Sequence, residues 1–483
     1  MSEGRFGKRS SPTSRLAPLL LAVALLAACA PTPVSIPPTP SPHPLLALLA
    51  DGDVLAAEGR RTAAEQVYRE AAALYPAAPI LHLRLARLYL SWNRLQEGLE
   101  AAAAAERLGA DPAHWMPLRA ALHAARGEWP EALDYGRAAL ALQPTDSDTR
   151  HIVAQSYAAL GRVAEARAEY QALLTARPAD RLAHERLGAL LFLSDPAAAR
   201  PHLQAAGTPL AAALVSALES AEGDRTYRLT LAGRACLAHG EPALAVQALR
   251  RAVAHSPAYA DAQALLGQAL AAVGRRQEAV VHMEQALYLA PDSVLAHSLL
   301  GGYYLQAGDP ATARFYLEPA YELGPDNPLL CIYLAQTYAG LGQYAAAEIW
   351  LAEATRLAPE DAAVWELAAR HYLNWGETGR AQGLEAAQTL VEIAPASAVA
   401  HELLGWAYFL SGDVQWAQAN LAQAVELDPT LASAHYRLGR VYAYQGRMAE
   451  ARVALTRALD LNTDALLRAE IERALDALNA AGP

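Results

Sequence analysis

The chain has 483 residues, 53% of them hydrophobic, few aromatic side chains and a formal net charge of −11. Such a composition supplies ample material for a buried core, rich in Ala and Leu and therefore helical rather than β, and it argues against nucleic acid as a partner, whose phosphates need a concentrated basic surface. Lys8 is the sole lysine, so the P-loop lysine, the Schiff-base lysine and the kinase-type phosphate lysine are all missing from the body of the chain.

Residues 5–15 carry four positive charges and residues 16–28 (LAPLLLAVALLAA) form an apolar run that ends in small residues. This is the order of a secretory signal, and the run falls short of the ~20 residues that a membrane-spanning helix needs. Removal of residues 1–28 takes away Arg5, Lys8, Arg9, Arg15 and Glu3 and leaves a mature chain of charge −14. The boundary Leu26-Ala27-Ala28-Cys29 resembles the bacterial lipobox. That resemblance implies that Cys29 is acylated on sulfur and becomes the new N-terminus, which places the protein outside the cytoplasm on a bacterial membrane. Residues 29–44 form a linker in which APTPVSIPPTPSPHP is nearly half proline. Extended polyproline II at ~3.1 Å per residue would set the next domain ~45 Å from its anchor.

Beyond residue 44 a 34-residue period governs the chain. Its clearest copy is ADAQALLGQALAAVGRRQEAVVHMEQALYLAPDS, residues 260–293. Leu266-Gly267 recurs as Leu300-Gly301, Leu404-Gly405 and Leu438-Gly439. The eleventh-position aromatic recurs as Tyr157, Tyr304, Tyr338, Tyr372, Tyr408 and Tyr442. Gly161, Gly240, Gly274, Gly308, Gly342, Gly376, Gly412 and Gly446 mark a mid-repeat turn, each followed five residues later by alanine, and prolines such as Pro178, Pro257, Pro291 and Pro429 close repeats. Apolar residues at the fourth, seventh, eighth and eleventh positions share one face of a first helix; those at the twentieth, twenty-fourth and twenty-seventh share one face of a second. The two faces pack as a hairpin whose exposed flank must stack on the next copy.

This pattern resembles the tetratricopeptide repeat family. The resemblance implies an all-α, right-handed α-solenoid of twelve helix-turn-helix repeats, five over residues 45–207 and seven over 226–465, separated by an interrupting helical segment at 208–225 and closed by a cap helix and tail at 466–483. At about seven or eight repeats per turn the array would make one and a half turns around a concave channel. The second repeat departs from the pattern with Asn93 at the turn and Gly98 in place of the packing alanine, and the fifth carries Pro201 within its second helix. The segment at 208–225 reads as the weak point of the array.

Near-matches to catalytic motifs fail on chemistry. His401-Glu402-Leu403-Leu404-Gly405 opens like a zinc-protease helix, but glycine stands where the second imidazole must be. His82, His184, His297, His401 and His435 all occupy the fourth repeat position, a packing position. Gly340-Leu341-Gly342 follows a helix and is the repeat turn, not a dinucleotide loop. Cys236 and Cys331 lie about three repeats apart, far beyond disulfide reach. Neither an enzyme activity, a metal, nor a cofactor is expected.

In the family the second, fifth, ninth, twelfth and thirteenth positions of the first helix line the concave surface. Carried onto the last three repeats, this implies a partner-binding groove of Arg370, Asn374, Trp406, Phe409, Tyr436, Arg440 and Tyr444, with the Trp406 indole between the Arg370 and Arg440 guanidinium groups. The ninth position alone runs Arg234, Gln268, Gly302, Gln336, Arg370, Trp406 and Arg440. The chaperone clamp of the family, built from lysines, has no counterpart. The expected partner is a protein or peptide in envelope, secretion or pilus assembly; the alternative is a polysaccharide, for an adaptor in exopolysaccharide export.

Overall fold

The computed structural model describes residues 44–220 and 224–480; Cys29, the signal segment and most of the proline-rich linker lie outside them. Residues up to 47 form one unit and residues 48–483 another. The described residues of the second unit are helical throughout, as antiparallel hairpins at the predicted period.

Each hairpin is set by a few local choices. The last residue of one repeat caps the first helix of the next: Asp111, Asp146, Asp180, Asn327 and Asp361 accept hydrogen bonds from backbone N–H groups of the following turn, satisfying donors that the helix leaves free. The turn glycines adopt positive φ, and Asn93 takes the same left-handed conformation at φ 54° in repeat 2, which has no glycine there; asparagine tolerates this region better than other side chains. At the eighth position the helices touch. A Cβ on Gly301 would lie 2.4 Å from Leu317 Cγ, so only glycine permits that approach. Facing it, the packing alanines Ala279, Ala313, Ala347, Ala417 and Ala451 are fully buried.

The fourth-position histidines have a specific structural use. His184, His297, His401 and His435 each place Nε2 3.0–3.1 Å from the carbonyl of a proline six residues earlier, at Pro178, Pro291, Pro395 and Pro429. A carbonyl only accepts, so Nε2 carries the hydrogen. Trp365 Nε1 does the same to Pro359 at 2.9 Å. These donors tie the closing loop of one repeat to the first helix of the next. Among the described residues, no group of three or more His, Cys, Asp or Glu gathers as metal ligands would.

The two irregularities in the period become local structure. The two extra residues of 362–397 form a short 3-10 turn, Gly376–Gly379. The interruption after repeat 5 contains the helix Pro209–Ser220, whose Leu210, Ala211, Leu214, Ala217 and Leu218 are buried. That helix belongs to one continuous core that runs from Leu133 to Ala279. Thr208 caps it by accepting from Ala211 N at 3.2 Å, while its hydroxyl donates to the buried Glu185.

Where the solenoid was expected to run on for one and a half turns, the first two repeats instead meet the last. Trp92, 1% exposed, donates its Nε1–H to Leu459 O at 3.0 Å. Arg468 of the cap helix Ala465–Ala480 donates to Trp92 O at 2.8 Å. Asp460 accepts from both the backbone N–H and the hydroxyl of Thr62, at 2.7 and 2.8 Å, and Arg61 donates to its carbonyl. Burial pushes the Asp460 carboxyl up from its ordinary value. Asn93 Nδ2 donates to Thr463 O at 3.2 Å, so the side chain that replaces the turn glycine also serves this junction. The cap helix buries Ile471 and Leu478 against repeat 12 and, through Arg468, holds repeat 2.

Candidate functional site

First-helix side chains at the ninth position are wholly or partly open to solvent in every repeat from Arg234 to Arg440, while the neighbouring seventh- and eighth-position residues Leu266, Leu300, Ala335, Leu404 and Leu438 are buried. One helix face thus packs the hairpin and the adjacent stripe is left to meet something else.

At the C-terminal end this stripe is a layered cluster. The half-buried Trp406 stacks on Phe409, with centroids 5.2 Å apart and planes 26° from parallel. Phe409 meets Tyr444 edge-on at 5.5 Å, and Tyr444 is 71% exposed. Two guanidinium groups lie over the indole, Arg437 at 5.2 Å and Arg440 at 5.4 Å. Arg440 flanks the ring as its spacing implies. The second cation is Arg437, one helical turn before Val441, whereas Arg370 pairs with Glu366 on its own helix at 3.0 Å. Tyr436 is 9% exposed and its hydroxyl accepts from Arg440 Nη1 at 3.4 Å, so it supports the cluster from below. Asn374 is exposed at the end of its helix.

Beneath the indole lies a pair that the repeat pattern does not reveal. Glu402 is 0% exposed, and one of its carboxylate oxygens sits 3.2 Å from Arg437 Nη1. No hydrogen bond of good geometry reaches either Glu402 oxygen. Burial pulls the Arg437 guanidinium below its ordinary pKa and the Glu402 charge opposes that. The sequence signal was a carboxylate at a fifth position followed, one repeat on, by an arginine at the sixth.

A wide opening on the inner face lies elsewhere, between repeats 6 and 9, as a cavity of about 640 Å³ lined by Arg234, Gln268, Arg276, Ser298, Gly302 and Tyr303 among others. At repeats 4 and 5 the corresponding stripe is occupied. Gln155, Ala158 and Ala159 of repeat 4 face the second helix of repeat 6, Pro242–His255, with only about 40 Å³ left between them. Gln247 donates to Ala158 O at 2.6 Å, Arg251 to Leu193 O at 2.6 Å, and Arg186 pairs with Glu241. Repeat 6 therefore plugs the groove of repeats 4 and 5.

The two internal cysteines, Cys236 and Cys331, are free and buried, and burial pushes their thiols up, to about 12 and about 11. Neither is a ready thiolate.

Several repeat-family models match the sequence. A tetratricopeptide repeat model matches residues 237–302 and 304–370, a TPR repeat model matches 405–446, and a further tetratricopeptide repeat model matches 432–465. Among solved structures, the chain is similar to yeast Tom70, at 17% identity over 90% of this chain and 96% of that one, with a TM-score of 0.43. It is similar to the Cut9-Hcn1 hetero-tetramer of the APC/C at 15% identity over 89% and 96%, TM-score 0.43. A thermophilic TPR protein of Thermus thermophilus matches at 24% identity over 38% of this chain and 99% of its own, TM-score 0.33. No curated protein matches the sequence. With repeat models matched at several positions within residues 237–465 and the described residues of 48–220 and 224–480 built largely of such hairpins, the chain carries tetratricopeptide repeats.

Proposed function

We propose that the protein is a non-catalytic interaction scaffold, held to the outside of a bacterial membrane by a lipid on Cys29, which binds a protein partner on the inner face of repeats 6 to 12. The observation that carries this reading is the unbroken run of solvent-open ninth-position side chains from Arg234 to Arg440. Packing leaves most of that stripe open, with Trp406 partly packed against the core, and its residues are ones that dominate binding energy elsewhere: an indole, three guanidinium groups and, beside them, Tyr444. Among the described residues no helix is long and apolar enough to cross a membrane; on this reading attachment is through Cys29. The partner assembles an envelope, secretion or pilus complex.

Trp406→Ala tests the groove. Its expected result is a loss of partner affinity of about 2 kcal/mol or more, as for an interfacial anchor, with little change in unfolding. A loss of about 3–5 kcal/mol of stability would instead mark the indole as core, and unchanged affinity in a folded variant removes it from the interface. Cross-linking and pull-down from detergent-solubilised native membranes supplies the partner; recovery of polysaccharide and no protein would overturn the protein-scaffold reading. For the anchor, mass spectrometry of the mature N-terminus is expected to find Cys29 first and carrying both diacylglyceryl and amide-linked chains, since a single acyl chain holds a membrane only marginally. An unmodified Cys29, or a mature chain that starts elsewhere, rejects it.

A further inference from the structure

Gly302 occupies the ninth position of the first helix of repeat 8, Val294–Gln306. Glycine is a poor residue for a helix interior, so its presence there calls for a reason. Its neighbour Gly301 has one in the contact with Leu317. For Gly302 packing supplies none, because a Cβ would meet nothing within 4 Å. The same position in the flanking repeats carries Gln268 and Gln336. What the missing side chain does is open the floor of the 640 Å³ cavity.

The chemistry of the walls is one-sided. Arg234 and Arg276 line the cavity and, among the described residues, no carboxylate does. Both are exposed, and among the described residues neither takes part in an ion pair. In a chain of net charge −11 this is a local excess of positive charge facing a socket whose other walls include Leu237, Leu299 and Tyr303. We propose that this cavity binds an extended acidic segment of a partner protein, with one bulky apolar side chain seated over Gly302 and an adjoining carboxylate held by Arg234 and Arg276. The proposal rests on the reading of the inner face as the partner surface and names the chemistry of one opening on it. A guanidinium matches a carboxylate in charge and in paired hydrogen bonds. A neutral sugar would leave both guanidinium groups without a counter-charge.

The test is selection of a random dodecapeptide phage library on the immobilised full-length protein, with binding of the selected peptides then measured to four variants. Peptides enriched on the wild type are expected to combine Asp or Glu with a large apolar residue. Their affinity should fall about tenfold or more in Gly302→Trp, as when an anchor pocket is filled, and measurably in Gly302→Gln, which installs the side chain of both flanking repeats. Arg234→Ala/Arg276→Ala should select peptides without the acidic bias. Thermal unfolding identifies any variant that fails to fold, and Gly302→Gln keeps the test open should the tryptophan not be accommodated. Peptides without acidic bias, no enrichment at all, or retention of an acidic polysaccharide such as alginate in place of any peptide would overturn the proposal. Affinity that survives both Gly302 variants but falls in Trp406→Ala overturns it while leaving the inner-face reading intact. Affinity that survives all four variants overturns both.

Discussion

Trp92→Ala is expected to destabilise the protein by about 3–5 kcal/mol and to part the two ends of the array. The first effect is that of deleting a large, fully buried ring from a packed interior. The second comes from where the ring sits. The Trp92 indole donates to Leu459 O and its own carbonyl receives Arg468, so its removal weakens contacts between residues some 370 positions apart in sequence. Array stability is approximately a sum of repeat and nearest-neighbour terms, and a contact from end to end adds a term that no local repeat possesses. Trp92→Phe is the control: it keeps most of the bulk, loses the N–H donor and should cost about 1 kcal/mol beyond its packing change. Denaturant unfolding measures the loss, and small-angle X-ray scattering reads the separation as a larger radius of gyration. A Trp92→Ala protein of unchanged dimensions and near-wild-type stability would show that the junction is not held by this side chain.

Glu402→Ala should be nearly as costly, at about 3–5 kcal/mol, because it strands the Arg437 guanidinium in a buried place without its counter-charge. The pair itself contributes less than that figure suggests. Desolvation of two charges offsets much of their attraction, so Glu402→Leu combined with Arg437→Met, which removes both charges and keeps the volume, is expected to recover most of the loss. The comparison also bears on binding. Arg437 lies over the Trp406 ring, so the single variant should disturb the Trp406, Phe409 and Tyr444 layers that the double variant leaves packed. Chemical denaturation of Glu402→Leu, Arg437→Met and the double variant completes a mutant cycle. A double variant no more stable than Glu402→Ala would mean that the ion pair, and not the stranding of one charge, is what matters.

The repeat period and the stripe of free positions were legible in the sequence, and for one physical reason. A helix of 3.6 residues per turn decides which side chains share a face from spacing alone. The turn glycines, the recurrent Gly301 and the fourth-position histidines could be placed in this way without any knowledge of their neighbours. So could Trp406, Phe409 and Tyr444 on a common stripe with Arg440. Asn93 was visible as a departure from the pattern, though its second use, donating to Thr463, was not.

What only the tertiary structure decided depends on rotations that spacing does not encode. Each repeat turns slightly against the last, and small angles summed over twelve repeats, two of them irregular, determine whether the ends diverge or meet. The helix Pro209–Ser220 and the 3-10 turn Gly376–Gly379 both alter that sum. Hence the meeting of Trp92 with Leu459 and of Thr62 with Asp460, and the plugging of the repeat 4 groove by Gln247, could not be read from period or composition. The same holds within the candidate site. Arg437 rather than Arg370 came to lie over Trp406, because the angle between neighbouring repeats, and not the position within each, determines which side chain crosses to the next helix.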